Sequence, residues 1–224
     1  AALAGGFDTN GADGAQLSGT IRIGAPDGCA NFLLPQVCAR IGAAHPDLDI
    51  QILALPRVVN LSRREADLAI TVSAPETQRL RAEKLSDYRL SLAASRDFLA
   101  QHGAPADLEA LRGARMIGYI PDMIFDAELD YLARFGVTRV PLASNAVSVQ
   151  LNFARSGVGL AIVHDFALPA APELVRVLPD QVRLTRTFWL VTHAGPVDAR
   201  LDRLTTLLRD GMRQEIARLE AMVV

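Results

Sequence analysis

Asp27-Gly28-Cys29 follows a short apolar run, Thr20–Ala25, and sets a carboxylate, a residue without a side chain and a thiol side by side. In an open α/β sheet, small molecules bind beyond the carboxyl ends of the strands, where helix N-termini present free N–H groups and the positive end of the helix dipole. That rule nominates this triplet and four further positions. Asp27 can hydrogen-bond a ligand or cap the helix that follows it. Gly28 lets a ligand approach the backbone closely. Cys29 is either a small core filler or, at a helix start, a thiol of lowered pKa open to oxidants. Ser73 follows the run Asp67–Val72 and either bonds a ligand or caps the turn before Pro75. Tyr119 offers an apolar face and a phenol donor, or packs in the core. Asn145 suits a helix N-cap, leaving Ala146 and Val147 to present free N–H groups to an anion. His164 follows Val158–Val163 and is either a pH-responsive ligand contact or structural. Together these residues suit non-covalent recognition of a small molecule.

Other chemistries find no support. Gly157-x-Gly159 comes after a helical segment and before a strand, the reverse of the dinucleotide-binding order, and reads as a helix C-cap. There is no Gly-x-Ser-x-Gly elbow. Asp126, Glu128 and Asp130 read as a solvated helix face, and Arg63, Arg64 and Glu65 as a surface or lobe-interface cluster. The two cysteines, Cys29 and Cys38, form no Cys-x-x-Cys pair and have no zinc-like spacing to histidine, so neither metal nor cofactor is expected. On one helix they would sit roughly 13 Å apart along the axis, too far for a disulfide. A reducing cytoplasm is the expected compartment.

The chain has 224 residues, half of them hydrophobic, enough for one large domain or two small lobes. Its net charge of −2 lacks the basic excess by which proteins neutralise phosphates, so the chain is not expected to grip nucleic acid by itself. No apolar run reaches the roughly 18 residues that a membrane helix needs. The first residues lack the charged-then-apolar pattern of a signal peptide, and the chain does not open on methionine, so a piece of a longer protein is expected.

The elements that must position these residues follow from periodicity. Residues 1–17 show no sustained period and read as a flexible lead-in. Thr20–Ala25 is a strand. Leu34, Val37, Cys38 and Ile41 recur at helical spacing, and that helix must stop before His45-Pro46. Leu48–Leu55 is a second strand, Asn60–Glu65 a short helix and Asp67–Val72 a third strand. Strands alternating with helices signal a parallel α/β sheet. Tyr88–Ala94 is another apolar run, followed by a helix over Ser95–Gln101. The alternation then repeats: strand Arg115–Tyr119, helix Asp122–Phe135 with Phe125, Leu129, Leu132 and Phe135 on one face, strand Arg139–Ala143, helix Ala146–Ser156, and strands Val158–Val163 and Thr187–His193. Leu201, Leu204, Leu208, Met212, Ile216 and Leu219 mark a long amphipathic helix at the end. The seam between the two halves falls near residues 93–95.

Five landmarks occur in order with matching gaps: Gly19-Thr20-Ile21-Arg22-Ile23-Gly24, Leu34-Pro35, His45-Pro46-Asp47-Leu48, Arg64-Glu65-Ala66-Asp67-Leu68-Ala69-Ile70, and Arg155-Ser156-Gly157-Val158-Gly159-Leu160-Ala161. From about Leu17 to about Leu208 they resemble the effector-binding domain of LysR-type transcriptional regulators. The resemblance implies two Rossmann-like lobes, built like periplasmic solute-binding proteins, with an interlobe cleft for a small-molecule effector. It places lobe I at 18–93 plus 194–224 and lobe II at 94–193. It implies a homodimer or tetramer, with Leu33, Val37 and Leu151 as interface candidates. DNA would be bound only through an N-terminal helix-turn-helix outside this sequence. The family often has a hydroxyl residue near Gly28 and Cys29, and its absence argues against a simple carboxylate effector. Two rival readings share the scaffold: a solute-binding protein for transport, and an enzyme using Asp27 and His164 as its catalytic pair.

Overall fold

Two sets of parallel strands are joined through a long antiparallel pair into one sheet in the computed structural model, which describes residues 16–54, 65–195 and 198–223. In the first set β1 (Gly19–Ala25) lies between β2 (Leu48–Ala54) and β3 (Leu68–Thr71), parallel to both. In the second, β5 (Met116–Gly118) lies between β6 (Leu142–Ala143) and β7 (Leu160–His164), again in parallel. Between the sets run β4 (Leu80–Ser95) and β9 (Arg183–His193), paired antiparallel from Leu80–His193 to Ser91–Arg183, with one register shift between Lys84 and Ser86. β9 bonds β3 and β4 bonds β7, while β8 (Leu174–Arg176) adds to β4. The parallel strand sets are those expected from the alternation of strands and helices, and their separation into two matches the two lobes that the resemblance implied.

The helices end where local chemistry dictates. The helix α1 (Asp27–Phe32) is separated from α2 (Leu34–Ala44) by Leu33, whose backbone leaves the helical region. The two cysteines therefore lie on different helices, both as free thiols. α2 stops at Ala44, before the proline of His45-Pro46. α3 (Arg96–His102) is capped by Ser95, whose hydroxyl accepts the Phe98 N–H at 3.1 Å. α4 (Val147–Arg155) and α5 (Ala199–Glu220) fall where periodicity put them. Leu17, expected in the lead-in, is buried and donates its N–H to His45 Nδ1 at 3.4 Å. The expected helix Asn60–Glu65 lies outside the described residues, apart from Glu65 itself.

Two expectations fail. The helix foreseen over Asp122–Phe135 is instead three 3-10 turns, Pro121–Met123, Ala127–Leu129 and Ala133–Phe135. Its aspartates offer the backbone other partners: Asp126 accepts the Glu128 N–H at 2.9 Å, and Asp130 accepts the Ala133 N–H at 3.2 Å. Leu129 and Leu132 still reach the core, but Phe125 is left exposed. The strand foreseen over Arg139–Ala143 shrinks to two residues, because Pro141 removes a donor and restricts Val140.

α5 returns to pack on α2. Glu215 is buried and takes Arg40 at 3.1 Å and Arg218 at 2.7 Å. Burial pushes its carboxyl up, but hydrogen bonds from Arg218 and Arg40 outweigh that and hold it below the usual range. Beside this ion pair, a Cβ built on Gly211 would stand 2.7 Å from Val37 Cγ1. Val37 is fully buried against α5, as Leu33 is in the same core, so neither side chain is on a surface where a partner could meet it. Replacing a helical glycine by alanine ordinarily gains about 1 kcal/mol of helix propensity. Here overpacking reverses the sign: Gly211→Ala is expected to lose about 1–2 kcal/mol in urea unfolding, and to become stabilising in a Val37→Ala background.

Candidate functional site

The carboxyl ends of β1 and β7 face the start of α4, and the residues nominated there come together. Pro26 ends β1, and Asp27 opens α1 as its first residue; the cap position belongs to Pro26, whose side chain caps nothing. The Asp27 carboxylate turns outward instead. Its Oδ2 accepts the Ser148 N–H of α4 at 2.8 Å, and its Oδ1 accepts Asn31 Nδ2 at 2.9 Å. Asp27 is thus a helix cap, but of a helix 121 residues away. Asn145 does not cap α4: the cap residue is Ala146, whose N–H is received by Ser144 Oγ at 3.1 Å, and Asn145 lines the cleft.

Gly28 packs close against α4 and His164. A Cβ there would lie 2.8 Å from Val147 Cγ2 and 3.1 Å from His164 Cε1, so any side chain at residue 28 pushes α1 away from both. His164 is buried in an aromatic cluster. Its ring stacks on Phe166 (centroids 4.7 Å apart, planes at 28°) and leans on Tyr88 at 5.3 Å. Tyr88 in turn stacks on Phe188, 4.0 Å away and 19° from parallel. Burial pushes the His164 imidazole down to about 4, so it is neutral near pH 7. It forms no acid–base pair with Asp27, both of whose oxygens are taken by Ser148 and Asn31.

The opposite wall is phenolic. Tyr119 meets Tyr131 edge-on with centroids 5.9 Å apart. The Arg186 guanidinium sits 5.8 Å from the Tyr131 ring and pairs with Glu128 at 2.7 Å. Burial, foremost, and the neighbouring phenols raise Tyr88 and Tyr119 well above the ordinary range, and burial raises Tyr131. The Tyr131 hydroxyl is buried beside the Tyr88 and Tyr119 phenols and makes no hydrogen bond of ordinary geometry. Ser73 stands outside the lining. Its hydroxyl donates to Asp126 across a short contact, fastening the end of β3 to the segment of 3-10 turns. Cys29 lines the cleft from behind α1; it is fully buried and burial raises its thiol, so it is no thiolate. Cys38 is likewise pushed up to about 11 by burial.

The space these residues enclose is a narrow cavity of about 30 Å³. Asp27 is the one charged group among its described lining residues, which also include Val72, Phe125, Leu129 and Phe188. Sequence reasoning missed those four, and it missed Tyr88 and Tyr131. Tyr88 and Phe188 lie in the middle of the crossing strands β4 and β9, where no strand-end rule looks. Among the described residues no cluster of His, Cys, Asp or Glu could hold a metal ion, and no helix is long and apolar enough to cross a membrane.

A profile of the LysR substrate binding domain matches residues 14–213. The chain belongs to the LysR substrate binding domain family. The transcriptional regulator CrgA of Neisseria meningitidis serogroup C is 24% identical over 168 residues, covering 73% of this chain and 56% of the relative. DmlR of Escherichia coli is 28% identical over 179 residues, covering 72% and 55%. The chain thus spans about half the length of the curated relatives it matches. Among solved structures, the CrgA regulatory domain superposes with a TM-score of 0.77 at 22% identity, over 87% of this chain and 99% of that one. A hydrogen-peroxide-bound OxyR variant from Corynebacterium glutamicum superposes with 0.70 at 18% identity, over 96% and 72%. As in these LysR regulatory domains, the fold has two lobes, and the cavity lies where they meet. One interface expectation fails here as in α2: Leu151 faces the core of α4, buried like Leu33 and Val37, and Val149 is the α4 side chain left exposed.

His164 gives this LysR domain a specific pH response. The unfolded chain takes up a proton near the ordinary value of 6.5, while the folded imidazole waits until about 4. Stability from this residue is complete above pH 6.5 and falls as pH drops toward 4, by about 3 kcal/mol in all. Urea unfolding from pH 7 to 4.5 should show that slope, and His164→Gln should flatten it relative to the parent.

Proposed function

We propose that this chain is the small-molecule sensor of a LysR-type transcriptional regulator, with the effector held in the cleft between α1 and α4. The observation that carries this reading is the meeting of Asp27, Gly28, Cys29, Tyr119, Asn145, Val147 and His164 around one cavity, although they come from distant parts of the chain. The lobes divide as 18–93 plus 194–224 and 94–193. An effector that favours one separation of the lobes shifts the population of regulator states by its difference in affinity for them. No covalent step is required. The Asp27–His164 pair that an enzyme would need is not formed, and the named relatives are transcriptional regulators.

The full regulator would bind DNA through an N-terminal helix-turn-helix and work in the cytoplasm as a homodimer or tetramer. Its contacts would use the exposed residues of α2 and α4, such as Gln36 and Val149, in place of their buried neighbours. The likeness to peroxide-bound OxyR invites an oxidant-sensing alternative, but the buried, protonated Cys29 gives it no support.

A thermal-shift screen of the domain against organic acids, amino acids, aromatics and oxidants tests the reading. A ligand at 100 times its dissociation constant adds about 2.7 kcal/mol. The expected hit is recovered chemically unchanged, is abolished by Gly28→Trp, and weakens in Asn145→Ala and Tyr131→Phe. A compound turned over to product, or a hit indifferent to all three substitutions, would contradict a cleft sensor.

A further inference from the structure

The charge of the cleft narrows the effector's chemistry. The start of α4 is the natural anion site of this fold region, with free N–H groups and the positive end of a helix dipole. Here it is already occupied by the Asp27 carboxylate on Ser148 N at 2.8 Å. An incoming carboxylate would have to displace Asp27 or sit against it at full like-charge repulsion. No described residue lining the cavity offers a countercharge, since Asp27 is the only ionised group there. Arg186, the nearest guanidinium on the phenolic wall, is paired with Glu128 at 2.7 Å.

A second observation points to what the cleft does want. The Tyr131 hydroxyl is buried and makes no hydrogen bond of ordinary geometry, its polar neighbours being the Tyr88 and Tyr119 phenols. Tyr131, Tyr119 and Leu129 also line an adjoining cavity of about 230 Å³ under the 3-10 turns. That cavity's walls are mostly apolar, with Ile117, Leu132, Val140 and Ile162 among them, and its one charged lining residue, Asp130, is again a carboxylate. The 30 Å³ cleft is too small for more than a small group, whereas its neighbour has room for a ring.

Building on the cleft reading, we infer that Asp27 is a built-in anion that fills the effector's carboxylate position. The molecule sensed is then uncharged and largely apolar, and accepts a hydrogen bond from Tyr131. Asp27 also ties α1 to α4, so the contact that excludes anions also links the two sides of the cleft.

Formate is the group that Asp27→Ala removes, and it is the probe of choice. Thermal unfolding is measured in sodium formate and in sodium chloride at equal ionic strength, for the parent, Asp27→Ala and Asp27→Asn. The expected result is a lower Tm for Asp27→Ala that formate restores by several degrees over chloride, with no such gain in the parent. Asp27→Asn keeps an acceptor for Ser148 and should ignore formate. If Asp27→Ala does not fold in chloride, the return of its far-UV circular dichroism in formate is the same outcome. An equal formate gain in the parent or in Asp27→Asn overturns the inference, as does the absence of any gain in Asp27→Ala. A second measurement needs no variant: amide NMR of the parent with benzamide and with benzoate. Shifts at the amides of Tyr119, Tyr131 and Leu132 with benzamide alone support the inference. Shifts there with benzoate overturn it yet leave the cleft sensor standing, and silence with both counts against the inference and the sensor alike.

Discussion

The pairing of β4 with β9 sets where everything else lies. Among the described strands these two join the parallel sets, β9 bonding β3 of the first and β4 bonding β7 of the second. Their register therefore fixes how the end of β1 faces the start of α4. An antiparallel pair of this length carries a continuous ladder with an irregularity only between Lys84 and Ser86. Its midpoint places Tyr88 on Phe188, and the stacked rings become the floor on which His164 and Phe166 rest. The connection between lobes and the lining of the cleft are one structural feature.

From that frame the contacts across the cleft follow. Gly28 permits α1 to approach Val147 and His164 within van der Waals distance, which in turn brings Asp27 to the Ser148 N–H. A carboxylate at a helix N-terminus contributes about 0.3–1 kcal/mol when exposed and up to ~2 kcal/mol in partly buried geometry. That magnitude matters for a sensor. It is of the size that a ligand of ordinary affinity can outweigh. The Ser73–Asp126 bond makes a second link, coupling the end of β3 to the 3-10 turns.

Much of the fold was legible in the sequence because it rests on local signals. Apolar periodicity located α2, α4 and α5. Pro46 ended α2, and the strand–helix alternation gave the parallel sets. The errors came where side chains compete with the backbone, at Asp126 and Asp130, and where Pro141 cuts a strand short. The site was partly legible for the same reason: strand ends can be found in a sequence, and they named Asp27, Gly28, Asn145 and His164. Partnerships could not be found that way. Nothing near Asp27 announces Ser148, Ser73 gives no sign of Asp126, and Tyr88 looks like any strand aromatic until β4 crosses β9. Leu33, Val37 and Leu151 show the converse: apolar residues on an amphipathic helix belong to the chain's own core before they belong to a partner.

The central claim is that the Asp27 carboxylate ties α1 to the start of α4 across the cleft. Amide hydrogen exchange at Ser148 reads that bond directly, because Ser148 lies in the first turn of α4, where the helix itself supplies no acceptor. In the parent, Ser148 should exchange far more slowly than a free first-turn amide. In Asp27→Ala it alone of the α4 amides should lose protection, while Leu151 and Ala154 keep theirs. Rapid exchange at Ser148 in the parent, or protection unchanged in Asp27→Ala, would contradict the account.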